Sequence, residues 1–295
     1  MTHDAPTVLV LGGISSHRHA VSLNPDSPGW WQELFDVQHK DWLRHHRVLS
    51  VDYLGGNGDS SGPRHWDRSS LGAFPQVSTL DQAQMILRLL DHLEIDRLHA
   101  VIGASYGGLV AQQLGVLAGP RIRELVILGA AHRADAQASA LRWVQRQILS
   151  LGQTPELDDT VCVALARALA VTTYRSKQEF NRRFSSVSDL EGYLTHQGQR
   201  FSARFDAEAY ANLSQSIDDH DLDPALIQCP TQVVAFEGDQ ISPPELVKTF
   251  HDALPHSRGH HWVSTLYGHD GFLKETKAID TLLSPLFNTH FEAHT

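Results

Sequence analysis

Cysteine is nearly missing from this chain: 295 residues contain two, Cys162 and Cys229. Two cysteines supply neither a disulfide framework nor a metal-ligand set, and they suit a reducing compartment. Cations are also in short supply. Against 34 Asp and Glu stand 24 Lys and Arg, a formal net charge of −10 with His neutral. That balance argues against nucleic acid as a partner, because phosphate binding needs a basic surface. Long apolar runs are lacking too. The run Val8–Leu11 is too short for a signal peptide or a membrane span, and no basic leader precedes it. The expected location is the cytoplasm, with no membrane partner. Internal repeats, low-complexity stretches and long linkers are likewise absent.

What is present is ordinary for a soluble enzyme: 41% hydrophobic and 20% charged residues. The length allows one large α/β domain with an insertion, or two small domains. Histidine is the residue in excess, at 19. His17 and His19, His45-His46 and His260-His261 sit close in sequence, but no H-E-x-x-H or Cys/His metal spacing accompanies them. Neighbouring residues on a strand face opposite ways, so these read as surface or loop histidines, and no metal is expected.

Apolar runs and helical periodicity alternate along the chain. Strands are expected at Thr7–Gly13, His46–Asp52, Arg97–Ile102, Glu124–Gly129, Thr231–Phe236 and Trp262–Leu266, with helices at Thr79–Leu93, Leu109–Leu114 and Pro244–Ala253. Strands alternating with helices predict an α/β fold, a mostly parallel sheet covered on both faces. Residues 133–222 carry helix-like segments at 142–149, 161–170 and 210–217 and no convincing strand. They read as a helical lid inserted into a core formed by 1–132 and 223–295.

One motif joins a conformation to a chemistry. Residues 103–107 read Gly-Ala-Ser-Tyr-Gly, a G-x-S-x-G nucleophile elbow between an expected strand and an expected helix. The pattern makes Ser105 an exposed nucleophile on a sharp turn. A serine hydroxyl needs a base, and the base an orienting acid, in the chain order Ser, then Asp or Glu, then His. Asp239, after the Thr231–Phe236 strand, and His269, after the final strand, fill those places. Glu237 and Asp270 are the nearest rival carboxylates. Glu237 lies inside the strand end, and Asp270 adjoins the histidine in sequence, so neither is well placed to hold its ring. A tetrahedral intermediate also needs two N–H donors. The expected ones are the amides of Tyr106 and of Ile14, in the loop after the first strand.

Beyond the elbow the chain resembles the homoserine O-acyltransferases of the α/β-hydrolase superfamily over most of its length. The resemblance rests on Gly103-Ala-Ser-Tyr-Gly-Gly108 and on Thr173-Tyr-Arg-Ser176 with Phe180 and Arg183-Phe184. It extends through Tyr193-Leu-Thr-His-Gln-Gly198, Arg204-Phe-Asp-Ala-x-x-Tyr210, Asp218-Asp-His-Asp221 and Tyr267-Gly-His-Asp-Gly-Phe-Leu273. It implies an α/β-hydrolase fold and acyl transfer from acyl-CoA, a co-substrate, to the hydroxyl of a small amino acid, with no bound cofactor. It implies that Arg175 takes the acceptor's carboxylate and Asp270 its ammonium. Members often pair through lid helices, so the apolar runs at 141–149 and 161–170 serve either a homodimer or the cover of the site.

The first loop, Gly12-Gly-Ile-Ser-Ser-His-Arg-His19, departs from the His-Ala-Leu-Thr type of many acetyl-transferring members and looks more like members that use succinyl-CoA. Arg18 is the candidate cation for a succinyl carboxylate. Succinyl is therefore favoured over acetyl. Serine remains open beside homoserine as acceptor, since one methylene is worth only about 1–3 kcal/mol. A plain esterase with water as acceptor, a specialised-metabolite acyltransferase and a non-catalytic binding scaffold are the other readings.

Overall fold

Six strands lie parallel in one sheet among the described residues: β1 (Thr7–Leu11), β2 (Arg47–Leu49), β3 (Leu98–Ala104), β4 (Leu125–Leu128), β5 (Thr231–Phe236) and β6 (Ser257–Val263). Their order is β2-β1-β3-β4-β5-β6. The computed structural model describes residues 5–22, 24, 26–35, 45–56, 58–152 and 157–287. Asn57, in the glycine-rich loop 54–62, lies outside them.

The alternation of side chains along the strands builds two cores. Leu9, Leu11 and Val101 enter one, while Val8, Val10, Ala100 and Ile102 enter the other. The first is closed by α1 (Thr79–His92) and α2 (Tyr106–Ala118), the second by α9 (Thr276–Phe287). A central strand such as β4, buried at all four positions, has no solvent face and therefore reads as a continuous apolar run. Ser78 opens α1 in a capping box with Asp81.

Between β4 and β5 the described chain is helical: α3 (Ala136–Leu151), α4 (Asp159–Tyr174), α5 (Lys177–Arg183), α6 (Val187–Ser202) and α7 (Ala207–Asp218). Each begins on a short polar side chain, Asp135, Asp158, Ser176, Ser186 or Asp206, that accepts a first-turn N–H. Such caps contribute about 0.5–2 kcal/mol each. The stretch leaves and rejoins the core at one place. Arg133 and Asp221 form an isolated antiparallel bridge, and Leu222 N–H donates to His132 O at 3.0 Å.

The last strand differs from expectation. Trp262–Leu266 was the apolar run, yet β6 ends at Val263 and begins at Ser257. It is an edge strand whose first two residues are exposed and whose Trp262 is 56% exposed. Burial does not impose apolar residues there, so its polar half carried no strand signal. Helix α6 was missed for a similar reason, because only Gly198 and Phe201 along it are buried.

A helix α8 (Pro244–Asp252) joins β5 to β6. All strands being parallel, the turns after β1, β3, β5 and β6 meet at one sheet edge, where such folds place their ligands. Among the described residues no helix is long and apolar enough to cross a membrane, and no group of three or more His, Cys, Asp or Glu gathers as a metal ion would require.

Candidate active site

Ser105 is the strained residue of this edge. It stands between β3 and α2 with φ 54° and ψ −123°, and only one other described non-glycine residue has positive φ. Such a conformation costs on the order of 1–3 kcal/mol and persists only where neighbours enforce it. The flanking glycines explain how. A Cβ on Gly103 would lie 2.4 Å from Gly107 O, and one on Gly107 would lie 2.3 Å from Leu11 O. Helix α2 therefore packs directly on the β1 and β3 backbones, and the serine is pushed outward. Gly107 N–H secures the turn by donating to Gly12 O at 2.8 Å.

Loops after β5 and β6 bring two further groups to the serine. Ser105 Oγ lies 2.7 Å from His269 Nε2, and His269 Nδ1 lies 2.8 Å from Asp239 Oδ2. Asp239 is held by its other oxygen, which accepts from the N–H groups of Ile241 at 2.8 Å and Ser242 at 2.9 Å. Both Asp239 and His269 are buried, at 3% exposure each. Burial opposes a charge on the ring, but the charge and hydrogen bond of Asp239, with Asp270 nearby, outweigh it and hold the His269 pKa above 6.5. This arrangement can move a proton from a hydroxyl to a ring and back.

The rival carboxylates are engaged elsewhere. Glu237 accepts from Ser264 Oγ at 2.6 Å. Asp270 accepts from Arg175 Nε at 2.5 Å. Across from Ser105, Gly13 and Ile14 line the same cavity, and a Cβ on Gly13 would lie 3.9 Å from Ser105 Oγ. Among the described residues neither the Ile14 nor the Tyr106 N–H has an acceptor. Both are donors in reserve. Behind that loop, Tyr53 Oη donates to Gly12 O at 2.8 Å.

The cavity over Ser105 measures about 90 Å³, and the helices between β4 and β5 supply much of its wall, including Arg142, Gln145, Tyr174 and Tyr210. Arg142 is the residue that sequence reasoning passed over. It is 6% exposed, and its Nε donates to Asp218 Oδ1 at 2.8 Å. Arg146 Nη1 reaches the other oxygen of Asp218 at 2.6 Å. Two guanidinium groups thus share one carboxylate, leaving an excess positive charge at the wall. Its only sequence signal was an Arg at helical spacing on an otherwise buried face. Arg18, the residue expected to supply that cation, lies elsewhere. Its guanidinium pairs with Asp52 and Asp59, its side chain is 44% exposed, and it does not line the cavity. Two carboxylates from the segment after β2 absorb its charge. Arg175 also stays outside the inner cavity and lines an adjoining pocket, while Asp270 borders both.

A family model described as the alpha/beta hydrolase fold matches residues 6–276. The chain is 37% identical to a homoserine O-succinyltransferase of Xanthomonas campestris, over 97% of this chain and 76% of that one. It belongs to the homoserine O-acyltransferase family. Like the rest of that family it is an acyltransferase of the α/β-hydrolase fold. Among solved structures it is similar to a homoserine O-acetyltransferase of Staphylococcus aureus, with TM-score 0.82, 26% identity and coverage of 99% of this chain and 88% of that one. The structure of esterase E22 shares the fold at TM-score 0.84 and 18% identity, covering 96% and 90% of the two chains. The fold alone therefore does not separate a transferase from an esterase.

Proposed function

We propose that this protein transfers a succinyl group, in preference to acetyl, from acyl-CoA to the hydroxyl of L-homoserine through a covalent acyl-Ser105, a step of methionine biosynthesis. The observation that carries the reading is the Ser105–His269–Asp239 chain beneath a wall with an unbalanced arginine. His269 Nε2 takes the Ser105 Oγ proton as Oγ attacks the thioester carbonyl. The developing oxyanion rests on the N–H groups of Ile14 and Tyr106. The C–S bond breaks, and the thiolate of CoA leaves with the proton from His269. Homoserine then enters and gives its hydroxyl proton to His269. Its oxygen takes the acyl group, and the proton returns to Ser105. Two half-reactions sharing one serine give ping-pong kinetics.

Residues 133–222 act as the lid in this scheme. They cover the serine and keep water from the acyl-enzyme, which an acyltransferase must do and an esterase need not. The support is their place in the wall and the bridge between Arg133 and Asp221 that brings the two ends of the stretch together. The lid also exposes Trp143, Val144, Val161 and Leu165, each at 40% or more. We place a homodimer contact there. Trp143→Glu is expected to halve the mass in analytical ultracentrifugation, and a wild-type monomer would remove the contact. The two cysteines are buried and free, in keeping with a cytoplasmic protein.

The donor preference is tested by mass spectrometry of products from succinyl-CoA and acetyl-CoA, each offered homoserine, serine or water. O-Succinylhomoserine is the expected main product. Release of free acid that homoserine does not divert would mark a hydrolase. Arg142→Leu removes one cation from the wall but leaves Asp218 paired with Arg146, so no buried carboxylate is stranded. Hydrogen bonds to charged groups contribute about 1.5–3 kcal/mol. The succinyl-over-acetyl ratio in kcat/KM is therefore expected to fall about 10- to 100-fold. An unchanged ratio would remove Arg142 from the donor site.

A further inference from the structure

The loop after β1 has little means of holding its own shape. It opens on Gly12-Gly13, and glycine loses more freedom on ordering than any other residue. A turn closes its first half, with Ser16 N–H donating to Gly13 O at 2.9 Å. Ile14 is the second residue of that turn. Such a turn uses the N–H of its fourth residue, so the Ile14 N–H stays free of it. A donor stabilises an oxyanion only if it is already in place when the charge develops. This loop therefore has to be fixed from outside.

Two consecutive buried residues after β2 do so. Asp52 Oδ1 accepts the Arg18 N–H at 2.8 Å, and the same carboxylate pairs with the Arg18 guanidinium. Tyr53 Oη donates to Gly12 O at 2.8 Å. Asp52 thus holds one end of residues 12–18, and Tyr53 holds the other. Burial keeps the Tyr53 pKa well above 10, so its hydroxyl retains the proton it donates.

The acceptor that Tyr53 takes is the informative part. Gly12 O also accepts from Gly107 N–H at 2.8 Å. Gly107 directly follows Tyr106, and Gly12 stands two residues before Ile14. One carbonyl oxygen therefore joins the backbone segments that carry the two oxyanion donors, and Tyr53 secures the joint. Its ring adds a second hold, meeting the Tyr106 ring edge to face with 4.9 Å between centroids. Trp30 also closes on Gly12, where a Cβ would lie 2.6 Å from the indole. Tyr53 itself does not line the cavity over Ser105.

We propose that Tyr53 is a positioning residue of the oxyanion hole: by holding Gly12 O against Gly107 N–H, its hydroxyl sets the spacing between the Ile14 and Tyr106 donors. The brace rests on the reading that these two amides bind the oxyanion. It gives the Arg18–Asp52 pair a task in place of donor recognition, that of closing the far end of the same loop.

The test compares two CoA thioethers, S-acetonyl-CoA and S-(3,3,3-trifluoroacetonyl)-CoA, on wild type and Tyr53→Phe. Ser105 adds to the fluorinated ketone. An Oγ–C bond forms, the carbonyl pair moves to oxygen, and His269 takes the proton, so the adduct carries an oxyanion. The methyl ketone adds far less readily, and the ratio of the two affinities cancels the contacts to CoA. Wild type is expected to bind the fluorinated ketone much more tightly. Tyr53→Phe is expected to lower that advantage about 10- to 100-fold, below the 10²- to 10³-fold loss that deleting a donor brings, because both amides remain. The single-turnover rate of CoA release should fall by a similar factor, with KM for acyl-CoA nearly unchanged. The variant keeps the ring against Tyr106 and leaves Gly12 O its Gly107 N–H, so no buried acceptor is orphaned. Equal weakening of both ketones would make the hydroxyl merely structural and overturn the brace. If wild type gains nothing from fluorination, the oxyanion reading falls, and the brace with it. If wild type gains and Tyr53→Phe keeps the same ratio and rate, the brace alone falls.

Discussion

Ser105→Ala is expected to lower kcat about 10⁴- to 10⁶-fold and to abolish the acyl adduct seen by intact mass spectrometry after acyl-CoA alone. The size follows from the proposed covalent route. Without Oγ no acyl-enzyme forms, and His269 faces an alanine methyl at the end of a proton path that begins with a 2.7 Å contact. The cavity, the reserve N–H donors and the charged outer pocket all persist, so substrates still bind. The residual rate is what direct attack of homoserine on bound thioester can achieve. A variant that kept more than a tenth of wild-type turnover would show that both substrates react in one complex, and the acyl-Ser105 route would have to be abandoned. The variant should fold, because alanine is no larger than serine. The strain at φ 54° is imposed by Gly103 and Gly107 against the β1 and β3 backbones.

How much of this was legible in the sequence depended on burial. Strands β1, β3, β4 and β5 are buried on both faces, so their residues had to be apolar, and each was readable as a run. The edge strand β6 was misplaced because solvent does not constrain its first half. The elbow was legible for a steric reason. Backbone lies within 2.4 Å of any Cβ at residues 103 and 107, which leaves only glycine at both. The spatial meeting of Ser105, Asp239 and His269 followed from the parallel topology, which puts every strand's end at one edge.

The charged groups were harder. An arginine is spelled the same whether a carboxylate neutralises it or not, and its partners come from distant segments. Arg18 carried a sequence argument because it sits in the loop after β1, yet Asp52 and Asp59, more than thirty residues on, take its charge. Arg142 carried none, yet α3 turns it into the cavity wall beside Asp218, more than seventy residues away. Glu179 carries no sequence signal of its own, and only the fold shows its second carboxylate oxygen buried without a donor. Local sequence reports local geometry. Net charge at a site is a sum over the whole chain.

Asp239→Asn is expected to lower kcat about 10⁴-fold while leaving the fold intact. The reason is a tautomer. Asp239 Oδ1 accepts two backbone N–H groups, from Ile241 and Ser242, so an asparagine must keep its carbonyl oxygen there. Its NH₂ then faces His269 Nδ1, which is obliged to accept, and the ring proton moves to Nε2. A protonated Nε2 cannot take the Ser105 proton, so the nucleophile is never generated. The pH profile gives an independent check. The base works only when neutral, so activity rises as pH passes upward through the His269 pKa. In the wild type burial pulls that pKa down, but Asp239 and Asp270 more than offset it, and the acid limb of kcat/KM is expected above 6.5. With the Asp239 charge gone, burial is opposed by Asp270 alone, and the limb of the residual activity is expected to move to lower pH. Turnover within ten-fold of wild type would show that Asp239 does not orient the base. A deep loss with an unmoved acid limb would mean that the titrating group is not His269, and the proton path from Ser105 would need a different receiver.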